Sequence, residues 1–143
     1  MRVEHILRQK GGSVATISPD ASVVQALAQL RDRDIGALVV STSTQPVAGI
    51  ISERDIVRSI AERGAEVLSE TVERNMTSPV IRCAPDELLT DAMGTMTARR
   101  FRHMPVVDAG ELVGIVSIGD LVKHRLDELE HEASNLRTYI ATA

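Results

Sequence analysis

Apolar positions along this chain follow two rhythms, one helical and one of β type, and the same order of rhythms occurs twice. A short β-type run, Val14-Ala15-Thr16-Ile17-Ser18, ends in Pro19-Asp20, and a second, Val80-Ile81-Arg82-Cys83-Ala84, ends in Pro85-Asp86. Apolar residues then fall at helical spacing: Val23, Val24, Leu27 and Leu30 in the first copy, Leu88, Leu89, Ala92, Met93 and Met96 in the second. Each Pro-Asp is expected at a helix N-terminus, where a missing N–H is no loss and a carboxylate can accept from orphan amides. Next comes an apolar strand, Ala37-Leu38-Val39-Val40 in one copy, matched to Met104-Pro105-Val106-Val107 in the other. Turn-forming residues follow, Ser41 to Pro46 and Asp108-Ala109-Gly110, before the returning strands Val47-Ala48-Gly49-Ile50-Ile51 and Leu112-Val113-Gly114-Ile115-Val116. Each copy is therefore expected to hold a hairpin, closed by a Ser-x-x-Asp step into another helix.

The segments leading into the copies also correspond, Val3-Glu4-His5-Ile6-Leu7 with Val72-Glu73-Arg74-Asn75-Met76, and both suit a short helix. The polar stretch 62–69, with Gly64, suits a connection. The expected architecture is α+β: two βαββα repeats related by a pseudo-twofold axis, with their sheets packed together, plus a C-terminal helix. Boundaries fall at 1–69 for the first repeat with its lead-in and connector, 70–125 for the second, and 126–143 for the terminal helix. Copies of about 60 residues lie near the size limit for independent stability, so a shared core is expected, with a cleft between the halves. In the terminal segment Leu126, Leu129, Ala133, Leu136 and Ile140 recur at three- and four-residue steps among acidic residues, a heptad-like seam that could dock on the body or on a second subunit.

Composition narrows the partners. Hydrophobic residues make up 43% and charged residues 25%, yet Phe101 and Tyr139 are the only aromatics, so the core is aliphatic and offers little for base stacking. A net charge of −4 and a pI near 5.5 argue against a grip on a polyanion, and nucleic acid is not expected. Cys83 stands alone and suits a reducing compartment as a small core residue, while Met76, Met93, Met96 and Met104 read as aliphatic filling. His5, His124 and His131 lack metal-ligand spacing and are expected at the surface, with no metal site. With no apolar stretch of membrane-spanning length and no secretory pattern at the N-terminus, a soluble cytoplasmic protein without membrane association is expected.

The strongest local signal is Gly49-Ile50-Ile51-Ser52-Glu53-Arg54-Asp55, repeated as Gly114-Ile115-Val116-Ser117-Ile118-Gly119-Asp120. A strand that delivers a hydroxyl and then a carboxylate to a helix N-terminus supplies amide donors for phosphate and an acceptor for ribose hydroxyls. The same residues are standard helix caps. For one copy capping suffices; recurrence within the same frame favours a nucleotide. Arg99, Arg100, Arg102 and His103 form a dense basic cluster, readable as a phosphate clamp or as cations complementing a helix C-terminus.

Both copies resemble the CBS domain family, through the Gly-hydrophobic-hydrophobic-Ser-x-x-Asp pattern and the Arg102-His103-Met104-Pro105-Val106-Val107-Asp108 stretch, over residues 1 to 125. The resemblance implies a paired, Bateman-type regulatory module, commonly dimeric and not an enzyme. It needs no cofactor and binds AMP, or ATP, NAD(H) or another adenosyl compound, in clefts between the repeats. It implies that Asp55 and Asp120 hold ribose hydroxyls and that Ser52 and Ser117 meet ribose or phosphate. Arg102 and His103 would meet phosphate, with Met104 and Pro105 adjoining, while Arg99 and Arg100 serve the helix dipole. Thr16 would join Ser117 and Asp120; the segment around Arg82 would join Ser52 and Asp55. Arg82 in place of Thr16 is expected to alter or block one cleft, and the Thr16 cleft is expected to be the better site. Arg54 could take an extra phosphate, where Gly119 leaves room for close backbone approach. The implied function is a nucleotide sensor acting in trans on an effector protein as a homodimer; the alternative is a ligand-free dimeric interaction module.

Overall fold

The computed structural model describes residues 1–11 and 13–142. The first copy runs α1 (Val3–Lys10), β1 (Thr16–Ile17), α2 (Val23–Arg33), β2 (Ala37–Val40), β3 (Gly49–Ser52) and α3 (Glu53–Arg63). After a 3-10 turn at Ala65–Ser69 the second runs α4 (Val72–Asn75), α5 (Leu89–Arg99), β4 (His103–Asp108), β5 (Glu111–Ser117) and α6 (Ile118–Thr142). The repeat's terminal helix and the amphipathic tail are thus one continuous helix.

β2 lies centrally in a three-stranded sheet, parallel to β1 and antiparallel to β3; β4 and β5 form an antiparallel hairpin. Its turn places Ala109 and Gly110 at positive φ, the conformation that a tight hairpin of this twist requires. The first strand of the second copy is reduced to a single parallel bridge, Cys83 to Val106. Cys83 N–H donates to Pro105 O and Val107 N–H to Cys83 O, and the next bond of such a ladder would need an amide hydrogen from Pro105, which has none. In the first copy Val39 occupies that place and donates to Ala15 O.

Those bonds also correct the match between copies. Asp34 and Arg100 close α2 and α5 in the left-handed conformation, and Glu53 N–H to Gly36 O mirrors Ile118 N–H to Arg102 O. Ala37 therefore pairs with His103 and Val39 with Pro105, one residue off the match that hydrophobicity suggests. The Pro-Asp pairs sit in turns ahead of the helices, and α2 is capped instead by Ser22, whose Oγ accepts from Gln25 N–H at 3.1 Å.

The proline carbonyls have another use. Glu4 N–H donates to Pro85 O at 2.8 Å, and Glu73 N–H to Pro19 O at 3.0 Å. Each lead-in helix is thereby docked on the opposite repeat. Val3 and Ile6 of α1 complete the core of Cys83, Leu89, Ala92, Met96 and Leu121, while Val72 of α4 completes that of Ile17, Val23, Leu30, Leu38 and Ile56. A third cluster joins the two sheets, with Ala37, Val39, Val47 and Ile50 meeting Val80, Val107, Leu112 and Ile115. His124 departs from expectation: it is buried, on the face of α6 that also carries Leu121. Among the described residues no helix is long and apolar enough to cross a membrane, and no three His, Cys, Asp or Glu side chains converge as a metal site.

Candidate functional site

Two clefts flank the seam between the sheets. The first, about 660 Å³, is bounded by Gly114, Ile115, Ser117 and Asp120 of the second copy, by Leu7 and Lys10 of α1, by Ser13 and Ala15, and by the turn from Arg33 to Ala37. The second, about 420 Å³, is bounded by Ile50 and Ser52 to Asp55, by Arg58, by Thr77, Pro79, Val80 and Ile81, and by the turn from Arg99 to His103. Both volumes suit a small organic ligand. Gly36 and His103 border both clefts, and the His103 ring lies where a side chain at Gly36 would project.

The Ser-x-x-Asp pairs are closed capping boxes. Ser52 Oγ accepts from Asp55 N–H at 3.1 Å, and Asp55 Oδ2 accepts from Ser52 N–H and Oγ–H, each at 2.9 Å. Ser117 and Asp120 repeat the backbone exchange at 3.1 and 2.9 Å. With the first helical amide bonded to Gly36 O or Arg102 O, the N–H of Arg54 and of Gly119 are left in the first turns without a protein acceptor among the described residues. The caps therefore orient the carboxylates and leave one amide free at each helix start.

The clefts differ in charge. In the first, Lys10 Nζ binds Asp120 Oδ2 at 2.7 Å and Ile115 O at 3.0 Å. Burial works against the Asp120 carboxylate, but Lys10 and the Ser117 amide outweigh it and hold its pKa below the ordinary aspartate value. Arg33 and Asp34 complete a nearly balanced lining. The second cleft gathers Arg54, Arg58, Arg99, Arg100 and Arg102 against Glu53 and Asp55. Burial pushes the His103 imidazole below its ordinary pKa, Lys10 adds to this, and Asp120 and Asp55 oppose it only in part.

The model of the CBS domain matches twice, over residues 3–62 and 69–127. The chain belongs to the CBS domain family. A CBS domain-containing mitochondrial protein of Arabidopsis thaliana is 34% identical over 96% of this chain and 71% of its own length. The crystal structure of a CBS-domain containing protein from Agrobacterium tumefaciens superposes with a TM-score of 0.84 at 42% identity, covering 87% of this chain and 99% of that one. A crystallised CBS domain pair in complex with 5′-methylthioadenosine and S-adenosyl-L-methionine superposes at 0.79 with 26% identity, covering 90% and 98%.

Within this CBS pair, the expected site residues divide. Ser117 and Asp120 line the first cleft; Ser52, Arg54, Asp55 and Arg102 line the second; His103 lines both. Thr16 is not brought to Ser117 and Asp120: it is exposed and borders a separate surface hollow with Ser18, Gln25 and Ser41, because Ile17 beside it turns into the core. Ala15 takes the expected place. Arg82 likewise lies outside the second cleft, reaching Val47 O at 3.4 Å, and Ile81 faces in. Arg82 is therefore not among the residues that line either cleft. Met104 and Pro105 are buried in the sheet and border neither cavity.

Arg99 and Arg100, assigned above to the helix dipole, line the second cleft beside Arg102 while also closing the C-terminus of α5. Lys10, Arg33, Gly36, Arg58 and Thr77 are further lining residues. Arg58 alone carried a sequence signal, standing one helical turn after Arg54. The others arrive through the exchanged lead-in helices and the pseudo-symmetric turns.

Proposed function

We propose that this CBS pair is a regulatory module that binds a phosphorylated adenosine nucleotide, AMP or one of ATP and NAD(H), in the second cleft. The observation that carries the reading is the convergence of five arginines and the unpaired Arg54 amide beside the Asp55 carboxylate. Guanidinium groups pair bidentately with phosphate oxygens, a helix start adds amide donors, and Asp55 can accept from vicinal ribose hydroxyls. Ile50, Val80, Ile81 and Phe101 supply apolar walls for a base. The first cleft, nearly charge-balanced and with Asp120 engaged by Lys10, suits an adenosyl ligand with little or no phosphate. The adenosyl ligands of the related pair support this class of compound. Binding acts by shifting the relative pose of the repeats or of a homodimer, read in trans by an effector protein, since a ligand moves an equilibrium only through differential affinity. The single buried thiol suits a reducing compartment such as the cytoplasm.

A second reading, a ligand-free dimeric interaction module, is favoured by one feature: both capping boxes are satisfied within the chain. Calorimetry and thermal shift with AMP, ATP, NAD, NADH and S-adenosylmethionine separate the two. Nucleotide affinity is expected to fall about tenfold or more in Arg102→Ala and to change little in Asp120→Asn, a tenfold loss being the scale of one charge-assisted contact. No stabilisation by any of the five compounds would favour the interaction module.

A further inference from the structure

α6 leaves the body after its first turns. Leu121 and His124 are its buried residues, and from Leu129 onward it runs on for about 20 Å at the helical rise. A helical extension of that length is marginal alone in water, and this one carries an uncovered apolar stripe: Leu126 is 60%, Leu136 59% and Ile140 66% exposed. With Val122 and Leu129, also exposed, and Ala133 between them, the stripe advances by strict four- and three-residue steps from 122 to 140. That is an a/d seam.

We propose that α6 pairs with the α6 of a second copy of this chain, parallel and in register, as a short coiled coil on the twofold axis of a homodimer. Charge selects this occupant. In a parallel pair each residue before an a position faces the residue five further along the partner helix. Here that sets Arg125 against Glu130 and Glu132 against Arg137 of the copy, all attractive and each occurring twice by symmetry. Arg125 is already drawn to Glu128 on its own helix, whereas Glu132 and Arg137 have no ion-pair partner in the chain among the described residues. Parallel pairing also uses the whole seam. The antiparallel register that covers the same seam, Val122 against Ile140, sets Glu130 and Glu132 each against its own copy, and one shifted to set Leu129 against Ile140 leaves Val122 and Leu126 uncovered.

The test is dimerisation of the full chain, by sedimentation and native mass, in variants at exposed positions whose helicity is checked by circular dichroism. Glu132→Arg alone and Arg137→Glu alone each face like charge with like and are expected to raise the dimer dissociation constant about tenfold. Mixing the two variants restores a heterodimer with opposite charges at both contacts. Oxidation of Leu136→Cys gives a covalent dimer, with Cys83 buried and out of reach. A wild-type chain that stays monomeric, a dimer indifferent to both charge variants, or failure of the mixture to rescue each overturns the proposal. Crosslinking of a mixed Leu129→Cys and Ile140→Cys pair but not of Leu136→Cys would assign the seam to an antiparallel copy. None of these outcomes depends on whether a nucleotide binds.

Discussion

Gly49 and Gly114 open the two signature motifs, and what lies over them explains why neither carries a side chain. A Cβ at Gly114 would collide with the Leu7 side chain of α1; one at Gly49 would meet Met76 Sδ at 2.6 Å and Thr77 O at 2.8 Å. Leu7 and Met76 are equivalent residues of the exchanged lead-ins, so each motif glycine is the seat of the opposite helix. The two are unequal in tolerance. Leu7 can swing aside, but Thr77 is fixed by reciprocal backbone bonds with Ile50. Gly49→Ala is expected to cost about 2 kcal/mol and Gly114→Ala less than half of that, within the range for overpacking a filled site. Urea unfolding followed by circular dichroism reads the difference, since the chain has no tryptophan. His103 is the other residue with a readable consequence. Its depressed pKa leaves it neutral near pH 7 in the free protein, and a phosphate beside it would raise that pKa. Binding of NAD, whose pyrophosphate does not titrate near neutrality, should therefore take up protons and tighten as pH falls from 7.5 toward 6; calorimetry in buffers of different ionisation enthalpy measures this. The dependence should vanish in His103→Gln.

At the scale of elements, what is local is legible in the sequence. The order of helices and hairpins, the Ser-x-x-Asp helix starts and the aliphatic core follow from periodicity and short-range chemistry. What depends on a partner segment is not. The stretch around Cys83 is more apolar than the one that holds β1, yet it is cut to a single bridge by a proline on the strand beside it. Thr16 carries the right functional group for a site, but its neighbour Ile17 claims the core and the alternation of the strand turns Thr16 away. The one-residue slip in matching β2 to β4 arises because hydrophobicity aligns apolar runs, whereas the fold aligns helix caps. Arg99 and Arg100 show that a helix-ending cation and a cleft cation can be the same residue.

The molecule as a whole is held by a connector as well as by its core. Arg63 Nη2 binds Glu70 Oε2 at 2.7 Å and Asn75 Oδ1 at 2.6 Å, and Asn75 returns a bond to Glu70 at 3.1 Å. The hydrogen bond from Arg63 chiefly holds the Glu70 carboxyl below the ordinary glutamate range, against the opposing effect of burial. A depressed carboxylate stabilises the fold at pH values above its unfolded pKa, and that contribution is lost as pH falls through the folded value. The melting temperature should therefore be flat with respect to this group near neutrality and decline in acid; Glu70→Gln should remove part of that decline and lower the neutral plateau. Thermal melts at pH 7 and across the acid range check both. The exchange of α1 and α4 reaches further than stability. A chain holding one copy alone would carry a lead-in helix with nowhere to dock and a core with one side open. It could close that core only by taking the corresponding helix from another such chain, so the stretch that is duplicated in the sequence is not the unit that folds.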